Sequence, residues 1–585
     1  MKKQLLGFFA MSLTGCMFAQ SSPVVEWGKL IDGDTSAGDQ ATSVNVNSEG
    51  DVYWFGSYGS TEVAPEVRFG GTPLYTGALY NAGNSQNNNF TLLKTNAAGE
   101  KLWVVYSNSG DFANNAGGTA LTSDGGCVVI SKVRHTDGML DRNISLFDAD
   151  GNETAVEWIC NRRYYRMMVT KVSADGHFEW NRMLDFSTEP AQGAAGGDDS
   201  DFRADTFNVG AVAVDADDNI YVALNYRSPL TVAKAGGGSE TLVPVNTANW
   251  SGDPQTACGD FLLLGLDKQG YYRNSLTLEG TATAAYCSKL KYAGGKLFAQ
   301  GYIIGDGSEL KAADKVLKPS SIMSPLVLCA DTDLQVQWAK CFPGEQVAGK
   351  NALQNCGLEY VCGALWFVGQ YNLKFSDPDD DTKFIASTQG QLREGFVVKL
   401  DAADGKWLAA RDSRDDEFCQ GGAFAKTGLT GYMSVMANPE KPDNIYVLGY
   451  VMNANVGVFI RRYDAATLVA DLNGEFNLIT KGGAPSLVTS AYDAANGVCY
   501  IAARGNKAFG MSGSDDSAAP ASWGILAAKV KLPAGMQTSI SDVSVGGSEN
   551  APVEYYNLQG VRVAEPANGI FIRRQGSKVE KVAVR

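Results

Sequence analysis

Short β-rich runs, separated by turns of Asp, Asn and Gly, recur along most of this chain. The clearest is residues 209–226, where Val212 and Val214 alternate with small residues before an acidic turn and the run Ile220-Tyr221-Val222. Period-two alternation on both sides of such a turn predicts a β-hairpin. Six further runs match the second strand of this hairpin, and they begin at Val52, Val128, Leu297, Leu365, Ile445 and Cys499.

A second hairpin pattern alternates with the first. It reads LLKTNAAGEKLW from Leu92 and VVKLDAADGKW from Val397, and four more copies begin at Val169, Leu263, Leu328 and Phe459. Two hairpins make a four-stranded unit with a period of roughly 55 to 90 residues, which is typical of propeller blades.

The two ends of the repeat region complement each other. The run VVEWGKL from Val24 matches an outer strand of the second hairpin but lacks the strand before it, which WGILAAKV from Trp523 supplies. One blade built from both ends would leave no open edge in the ring. The sequence therefore predicts an all-β fold: a seven-bladed β-propeller closed by N- and C-terminal strands, followed by a small β-sandwich-like C-terminal domain.

The two hairpin signatures, VVKLDAADGKW and VAVDADDNIYV, resemble the bacterial SBBP β-propeller repeats over most of residues 24–531. That resemblance implies the fold and is nearly silent on function. The second hairpin is also similar to the repeat of quinoprotein propellers, which as a family carry a calcium-bound quinone, often beside adjacent cysteines. This chain has no Cys-Cys pair, so we do not expect that cofactor.

The first residues predict export. Two lysines precede an apolar run at residues 5–13, as in a secretory signal peptide that is too short to span a membrane. Cleavage between Ala19 and Gln20 resembles the ordinary route of Bacteroidetes proteins. The run Leu13-Thr14-Gly15-Cys16 resembles a lipobox, so a lipoprotein modified at Cys16 stays open. No later stretch is apolar enough to predict a transmembrane segment.

The pattern changes again near the C-terminus. The runs YNLQG from Tyr556 and GIFI from Gly569, with the basic end that follows, resemble the C-terminal sorting domain of the Bacteroidetes type IX secretion pathway. The resemblance implies the secretion machinery as a partner and a final location in the medium or at the outer-membrane cell surface. An accessory β-domain without a sorting role is the alternative. The predicted domains are a signal peptide at 1–19, the propeller at 20–535 and the sorting-like domain at 536–585.

Charge and histidine content narrow the functions. A net charge of −15 and a pI near 4.8 argue against nucleic acid or an anionic membrane as a partner. Because His135 and His177 are the two histidines, we predict no catalytic triad and no multi-histidine zinc site. We therefore predict no catalytic residues and favour a non-catalytic binding or scaffold module. A glycosidase or lyase that uses two loop carboxylates is the alternative, because paired acids leave no motif.

The connections between hairpins are long and are predicted to emerge on one face of the disc, opposite the tight turns. Binding residues usually lie on such loops, so we place a site for a glycan, a peptide or a surface protein on this face. Aromatic rings there suit such ligands, although long loops also bury aromatics to pack on themselves. The candidate ligand-binding residues are Tyr75, Tyr80, Trp158, Tyr164 and Trp250, with Tyr165 beside them.

Acidic clusters at 198–201, 377–381 and 415–417 suggest calcium as a possible cofactor, although charge runs are usually solvated. Asp148, Asp150 and Asn152 are spaced as in a calcium loop, but Glu153 replaces the glycine that an EF-hand needs. We prefer a hairpin turn there and assign no metal ligand.

Ten of the eleven cysteines follow Ala19. Their positions track the predicted strands, as Cys329 and Cys499 illustrate. We therefore expect buried free thiols that pack as small apolar groups.

Overall fold

The computed structural model describes most of the chain between residues 23 and 584, and the described residues form strands and turns without a helix. The described ranges are 23–32, 40–60, 66–76, 87–107, 111–134, 143–157, 166–186, 207–246, 259–282, 284–305, 307–319, 323–345, 357–371, 373–386, 394–413, 430–438, 441–451, 457–481, 486–506, 510–511, 523–532, 553–557, 562–564, 566, 569–575 and 578–584. The chain separates into two compact bodies, Ser22–Pro533 and one that contains Ala534–Arg585. The predicted domain bounds stay predictions.

The described part of the larger body contains seven four-stranded antiparallel groups, which we number as units 1 to 7. In each unit the second strand pairs with the first and third, and the fourth lies beyond the third. Unit 1 is Gln40–Val46, Val52–Ser60, Asn87–Thr95 and Lys101–Ser107; unit 2 is Asp111–Leu121, Cys127–Arg134, Arg166–Val172 and Phe178–Phe186; unit 3 is Phe207–Val214, Ile220–Tyr226, Asp260–Leu266 and Tyr272–Thr277; unit 4 is Ala284–Ala293, Lys296–Ile304, Ser324–Ala330 and Val336–Cys341; unit 5 is Gly357–Val361, Ala364–Tyr371, Glu394–Asp401 and Trp407–Asp412; unit 6 is Thr430–Asn438, Lys441–Val451, Gly457–Asp464 and Ala470–Asn477; unit 7 is Ser486–Asp493, Val498–Asn506, Trp523–Lys531 and Val24–Asp32.

The units form a closed ring. Each first strand contacts the first strand of the next unit, and Ser486–Asp493 contacts both Thr430–Asn438 and Gln40–Val46. Closure uses both ends of the domain, because Val24–Asp32 pairs with Trp523–Lys531 from Val24 opposite Lys531 to Ile31 opposite Ile525. The all-β propeller class predicted from the sequence is confirmed. The count of seven blades stays a prediction, which the seven units support.

The burial pattern explains why these residues form blades. The second and third strands are covered on both faces, and every residue of Ile220–Tyr226 and Asp260–Leu266 is buried. Strands covered on both faces read as nearly continuous apolar runs, as these do. The apolar core consists of seven clusters in the described residues, one in each seam between neighbouring units.

Tryptophans of the fourth strands tie neighbouring units together. Three of them donate an indole N–H to a carbonyl in a tight turn of the next unit: Trp27 to Ala97 at 3.1 Å, Trp103 to Ala174 at 3.0 Å and Trp338 to Ala402 at 3.1 Å. Each ring also covers a glycine of that turn, at Gly99, Gly176 and Gly405, whose φ is +73°, +91° and +74°. The turn needs a positive φ and the ring leaves no room for a Cβ, so glycine and tryptophan recur together in the sequence.

The long connections inside the units carry short strands that pair with the fourth strand of the preceding unit or its continuation. The sequence pattern predicts loops for these connections. In the described part of the structure they instead link neighbouring units at six of the seven seams. The linking strands are Glu66–Phe69 and Thr72–Thr76 on unit 7; Ile144–Phe147 and Glu153–Val156 on unit 1; Leu230–Ala233 and Ser239–Leu242 on unit 2; Leu310–Ala312 and Lys315–Leu317 on Glu279–Gly280 of unit 3; Lys374–Asp377 and Asp380–Ala386 on Gly344–Glu345 of unit 4; and Gly510–Met511 on Ile479–Lys481 of unit 6.

The described residues of the C-terminal body form one four-stranded antiparallel sheet. Its order is Arg562–Val563, Val553–Tyr556, Gly569–Gln575 and Lys578–Val584. The last two strands pair along their whole length, from Gly569 opposite Val584 to Gln575 opposite Lys578.

Candidate functional site

An axial cavity of about 450 Å³ lies at the centre of the ring. The first strands of all seven units line it. Among the described strands each of these pairs with its own second strand alone, so its other edge turns backbone N–H and C=O groups towards the axis. The volume falls within the roughly 300–1,000 Å³ of small-molecule pockets.

Glycines allow the first strands to lie close together at the axis. A Cβ on Gly210 would lie 1.6 Å from the carbonyl oxygen of Cys287 in the next unit. Within unit 4, Gly301 pairs with Cys287 beside a register shift, and a Cβ there would lie 1.7 Å from the carbonyl oxygen of Tyr286. The glycines that recur in the second strands, such as Gly56 and Gly449, occupy the same place beside the bulge of their first strand.

One seam of the cavity wall is charged. Lys291 of unit 4 reaches across to Glu359 of unit 5, and its Nζ lies 2.8 Å from Oε1 and 3.1 Å from Oε2. The side chains are 39% and 25% exposed, respectively, so the ion pair is partly solvated. Lys289 lines the cavity two residues before Lys291. Tyr360, which follows Glu359 in unit 5, stacks on Phe298 of unit 4 with ring centroids 5.5 Å apart.

Two other seams are neutral and rich in hydroxyl groups. Between units 1 and 2, the hydroxyls of Ser43 and Thr119 lie 2.9 Å apart, and Asn45 donates to the carbonyl oxygen of Thr119 at 3.0 Å. Between units 6 and 7, Ser490 donates to Ser434 at 2.7 Å. These pairs close their seams and leave small polar groups along the cavity.

The axial site was not predicted from the sequence. The lining side chains include two lysines and one glutamate, a net charge of +1 within a chain of −15. A signal exists in the sequence, because the first strand of unit 4 reads SKLKY where the corresponding strands of units 3 and 6 read AVAV and SVMA. The arrangement can hold a polar ligand. Among the described lining residues Glu359 is the one acidic side chain and is paired, so these residues offer no pair of carboxylates for acid–base chemistry.

Tyr75 is the one candidate aromatic that falls within the described residues, and it is buried, whereas the role of the others as ligand-binding residues stays a prediction. It is 7% exposed and stacks on Tyr106 with centroids 4.0 Å apart. Its hydroxyl hydrogen bonds with that of Thr91. The ring therefore packs its own hairpin onto unit 1, which is the alternative that the sequence left open for these aromatics. Outside the described residues lie Tyr80, Trp158, Tyr164, Tyr165 and Trp250, together with Cys16, Ala19 and Gln20.

The acidic cluster at 377–381 is partly neutralised. Asp377 is buried, and Lys340 lies 3.3 Å from it and 2.7 Å from Asp379. The clusters at 198–201 and 415–417 lie outside the described residues. Within the part of the chain that is described, no group of three or more His, Cys, Asp or Glu side chains is placed to hold a metal ion. Calcium binding stays a prediction.

The residues from Asp148 to Asn152 form a hairpin turn, as predicted, between Ile144–Phe147 and Glu153–Val156. One carboxylate oxygen of Asp148 accepts the backbone N–H groups of Asp150 and Asn152, and the other lies 3.0 Å from Nδ1 of His177. This hydrogen bond is the main cause of the raised pKa of His177; desolvation opposes it, and the charges of Asp175, Asp148 and Asp150 add to it. The histidine thus joins a turn of unit 2 to the hairpin that extends unit 1.

Two carboxylates do meet in the described structure, but away from solvent. Glu394 and Asp412 of unit 5 both contact the hydroxyl of Tyr371. They are 0% and 4% exposed. Burial and the two carboxylates raise the pKa of Tyr371, which therefore stays protonated and donates. Because both acids are buried, a sugar substrate has no access between them.

The cysteines behave largely as predicted. Among the described cysteines, Cys127, Cys329, Cys341 and Cys499 are buried free thiols, Cys287 is buried and Cys362 is exposed. Burial raises the pKa of Cys127 to about 12, which suppresses the reactive thiolate.

Comparisons with known proteins show no matching family and no matching curated protein. The chain is similar in structure to a protein of unknown function from Dyadobacter fermentans, at 11% identity, a TM-score of 0.35 and coverage of 71% of this chain and 93% of that one. It is also similar to the quinohemoprotein alcohol dehydrogenase of Comamonas testosteroni, at 12% identity, a TM-score of 0.35 and coverage of 88% and 77%. A third similarity is to the polysaccharide lyase Uly1, at 9% identity, a TM-score of 0.38 and coverage of 84% and 90%. The class of protein that the fold defines is a β-propeller. Among the described residues no helix is long and apolar enough to cross a membrane.

Proposed function

We propose that this protein is an exported, non-catalytic binding propeller that holds a polar ligand in its axial cavity. The observation that carries the proposal is the cavity itself. It has a volume of about 450 Å³ and is lined by the edges of seven strands and by polar side chains of the seams. Exposed backbone edges and hydroxyl groups recognise a ligand by hydrogen bonds. The binding role agrees with the sequence analysis, whereas its place moves from the loop face to the axis.

Export belongs to the same proposal. The signal peptide at 1–19 and the sorting-like domain at 536–585 favour a protein released to the medium or held at the outer-membrane surface, with the secretion machinery as its partner. An extracellular propeller would meet glycans, peptides and surface proteins as ligands. The carbohydrate-active enzyme receives less support, because the two carboxylates brought together at Tyr371 are buried.

The test is a glycan and peptide array probed with the chain from Gln20 onward, with calcium and with chelator. Ser43→Trp places a large ring on the cavity wall and should abolish saturable binding. Leu408→Trp is the matched control, because it adds the same ring on a fourth strand, at a position that is 47% exposed. Circular dichroism checks that both variants fold.

Equal binding by both variants would show that the ligand lies outside the cavity, on the loop face. Chemical change of an arrayed sugar would overturn the non-catalytic proposal. Failure of every arrayed ligand to bind would favour a purely structural scaffold.

A further inference from the structure

A partly exposed arginine lies on the outer rim of the ring, at the seam between units 2 and 3. Arg182 belongs to the fourth strand of unit 2, Phe178–Phe186. Together with Trp180 of the same strand and Tyr271 of unit 3 it forms what we call the rim patch. We propose that the rim patch binds an acidic peptide in extended conformation, which adds as a further strand to the edge of Phe178–Phe186 and places a carboxylate on Arg182. This site is separate from the axial cavity and does not depend on a ligand there.

The seam between units 2 and 3 departs from the tryptophan contact that holds three other seams. Trp180 stands where those fourth strands carry the tryptophan that donates to a carbonyl of the next turn. It covers the corresponding glycine, since a Cβ on Gly270 would lie 2.9 Å from its Cζ3, but its indole N–H has no partner among the described residues. Instead Arg182 donates from Nε to the carbonyl oxygen of Gln269 at 3.3 Å. Arginine therefore makes the hydrogen bond to the turn at this seam.

Two aromatic rings hold the guanidinium of Arg182. Its Cζ lies 4.5 Å from the ring centroid of Tyr271 and 5.8 Å from that of Trp180, both within the range of cation–π contacts. In the described structure neither Nη group has a hydrogen-bond partner and neither is a buried atom, so both face solvent. A guanidinium fixed in this way is pre-organised for a carboxylate, which its Nη groups can bind side by side.

The basic residues at the corresponding positions of two other units already have partners. Lys29 of unit 7 donates to a carbonyl oxygen of unit 1. Lys340 of unit 4 lies 3.3 Å from Asp377 and 2.7 Å from Asp379. Arg182 forms no ion pair with a described residue. The rim patch thus offers an uncompensated positive charge on a chain whose net charge is −15, which favours an acidic partner there.

The edge of the fourth strand beside Arg182 is open in the described structure. The linking strands of this seam pair with it only at Asp185 and Phe186. Among the described strands, residues 178–184 pair on one side alone, with the third strand of unit 2. An open edge presents backbone N–H and C=O groups to which an extended peptide can add, whereas a sugar has no backbone with which to complete the sheet. A peptide residue opposite Arg182 would have its Cβ about 5 Å from that of the arginine, within reach of a glutamate side chain.

The experiment is fluorescence anisotropy with the chain from Gln20 onward and two fluorescein-labelled peptides, TVEVT and TVQVT. We expect the glutamate peptide to bind saturably and the glutamine peptide to bind roughly three- to thirtyfold more weakly. Arg182→Gln should weaken the glutamate peptide by the same factor and leave the glutamine peptide unchanged. Lys268→Gln is the matched control, because it removes an exposed cation from the adjacent turn, and it should change the affinity by less than about twofold. Circular dichroism checks that both variants fold.

Equal loss of binding in Arg182→Gln and Lys268→Gln would show a general attraction of charge and overturn the guanidinium site. Two versions of the glutamate peptide, N-methylated at alternate residues, test strand addition; we expect at least one to fail, and binding of both as tightly as the parent would refute it.

Acetate or D-glucuronate that competes as strongly as the peptide would show a simple oxyanion site and overturn the peptide as the ligand. Ser43→Trp should leave the affinity unchanged. Loss of binding in this variant but not in Arg182→Gln would place the peptide in the axial cavity and overturn the rim site. Failure of the glutamate peptide to bind overturns the inference and leaves the proposed function to the array.

Discussion

The contact between Trp338 and the turn of unit 5 should be among the strongest links between neighbouring units. Trp338 is 5% exposed and donates to the carbonyl oxygen of Ala402 at 3.1 Å. Replacing a buried tryptophan by alanine costs about 3–5 kcal/mol of unfolding free energy, because a large apolar surface and its packing are lost. We expect Trp338→Ala to fall in that range. Trp338→Phe, which loses mainly the hydrogen bond, should cost about 1–2 kcal/mol.

Gly405 provides the partner mutation. A Cβ there would lie 2.7 Å from Cε3 of Trp338, on a backbone with φ of +74°. In the wild-type chain Gly405→Ala should cost roughly 1–2 kcal/mol for the backbone conformation and a further 1–3 kcal/mol for the clash. In the Trp338→Ala background the clash disappears and only the backbone cost remains. The double-mutant cycle should therefore show a coupling of roughly 1–3 kcal/mol.

The assay is equilibrium urea unfolding followed by far-UV circular dichroism, which does not depend on the deleted indole. Leu408→Ala is the control on the neighbouring unit, since Leu408 is 47% exposed and surface changes usually stay within about 0.5 kcal/mol. A cost below about 1 kcal/mol for Trp338→Ala, or strict additivity of the double mutant, would refute the link between ring and turn.

Three further outcomes follow from the described residues. Because the pKa of His177 is raised in the folded chain, its contact with the hairpin on unit 1 stabilises the fold fully below about pH 6.5, and this stabilisation is lost as the pH rises through the folded-state pKa. His177→Gln should therefore flatten the change in melting temperature between pH 6 and 8. An NMR titration that places the pKa of His177 below 6.5 would contradict this prediction. Gly301→Ala should unfold at a much lower temperature than Gly71→Ala, because a Cβ at Gly301 meets a carbonyl oxygen at 1.7 Å and one at Gly71 meets nothing within 4 Å. Cys127 should react with a thiol reagent only on unfolding, as peptide mapping of the labelled chain would show. Rapid labelling of Cys127 in the folded chain would be inconsistent with its burial.

The sequence predicts those parts of the fold that depend on local pattern. The hairpins, the tight turns and the closing pair of Val24–Asp32 with Trp523–Lys531 follow from alternation and from the position of glycine and tryptophan. The linking strands were not predictable in the same way. Hairpins such as Glu66–Phe69 with Thr72–Thr76 are short and pair with a strand of another unit over only two residues, Ile31 and Asp32. Pairing between units leaves no periodic signal in the chain.

The candidate site was missed for a related reason. A sequence shows which residues are aromatic or charged, but the ring brings Lys291 and Glu359 together from strands 68 residues apart. Conversely, Tyr75 resembles a loop aromatic in sequence and is buried by a hairpin whose pairing the sequence does not reveal. Residue type alone does not separate a packing ring from a binding ring.

The linking strands support the axis as the place of the proposed ligand site. At six seams of the described structure the linking strands pair with a neighbouring unit, and side chains such as Tyr75 are buried in the resulting contact. In the described part of the chain no strand pairs with the inner edge of the first strands, and this edge faces the cavity. The backbone groups of this edge are common to every unit and discriminate little between ligands. At the proposed site, selectivity would therefore come from the seam side chains, and among the described lining residues Lys289, Lys291 and Glu359 are charged.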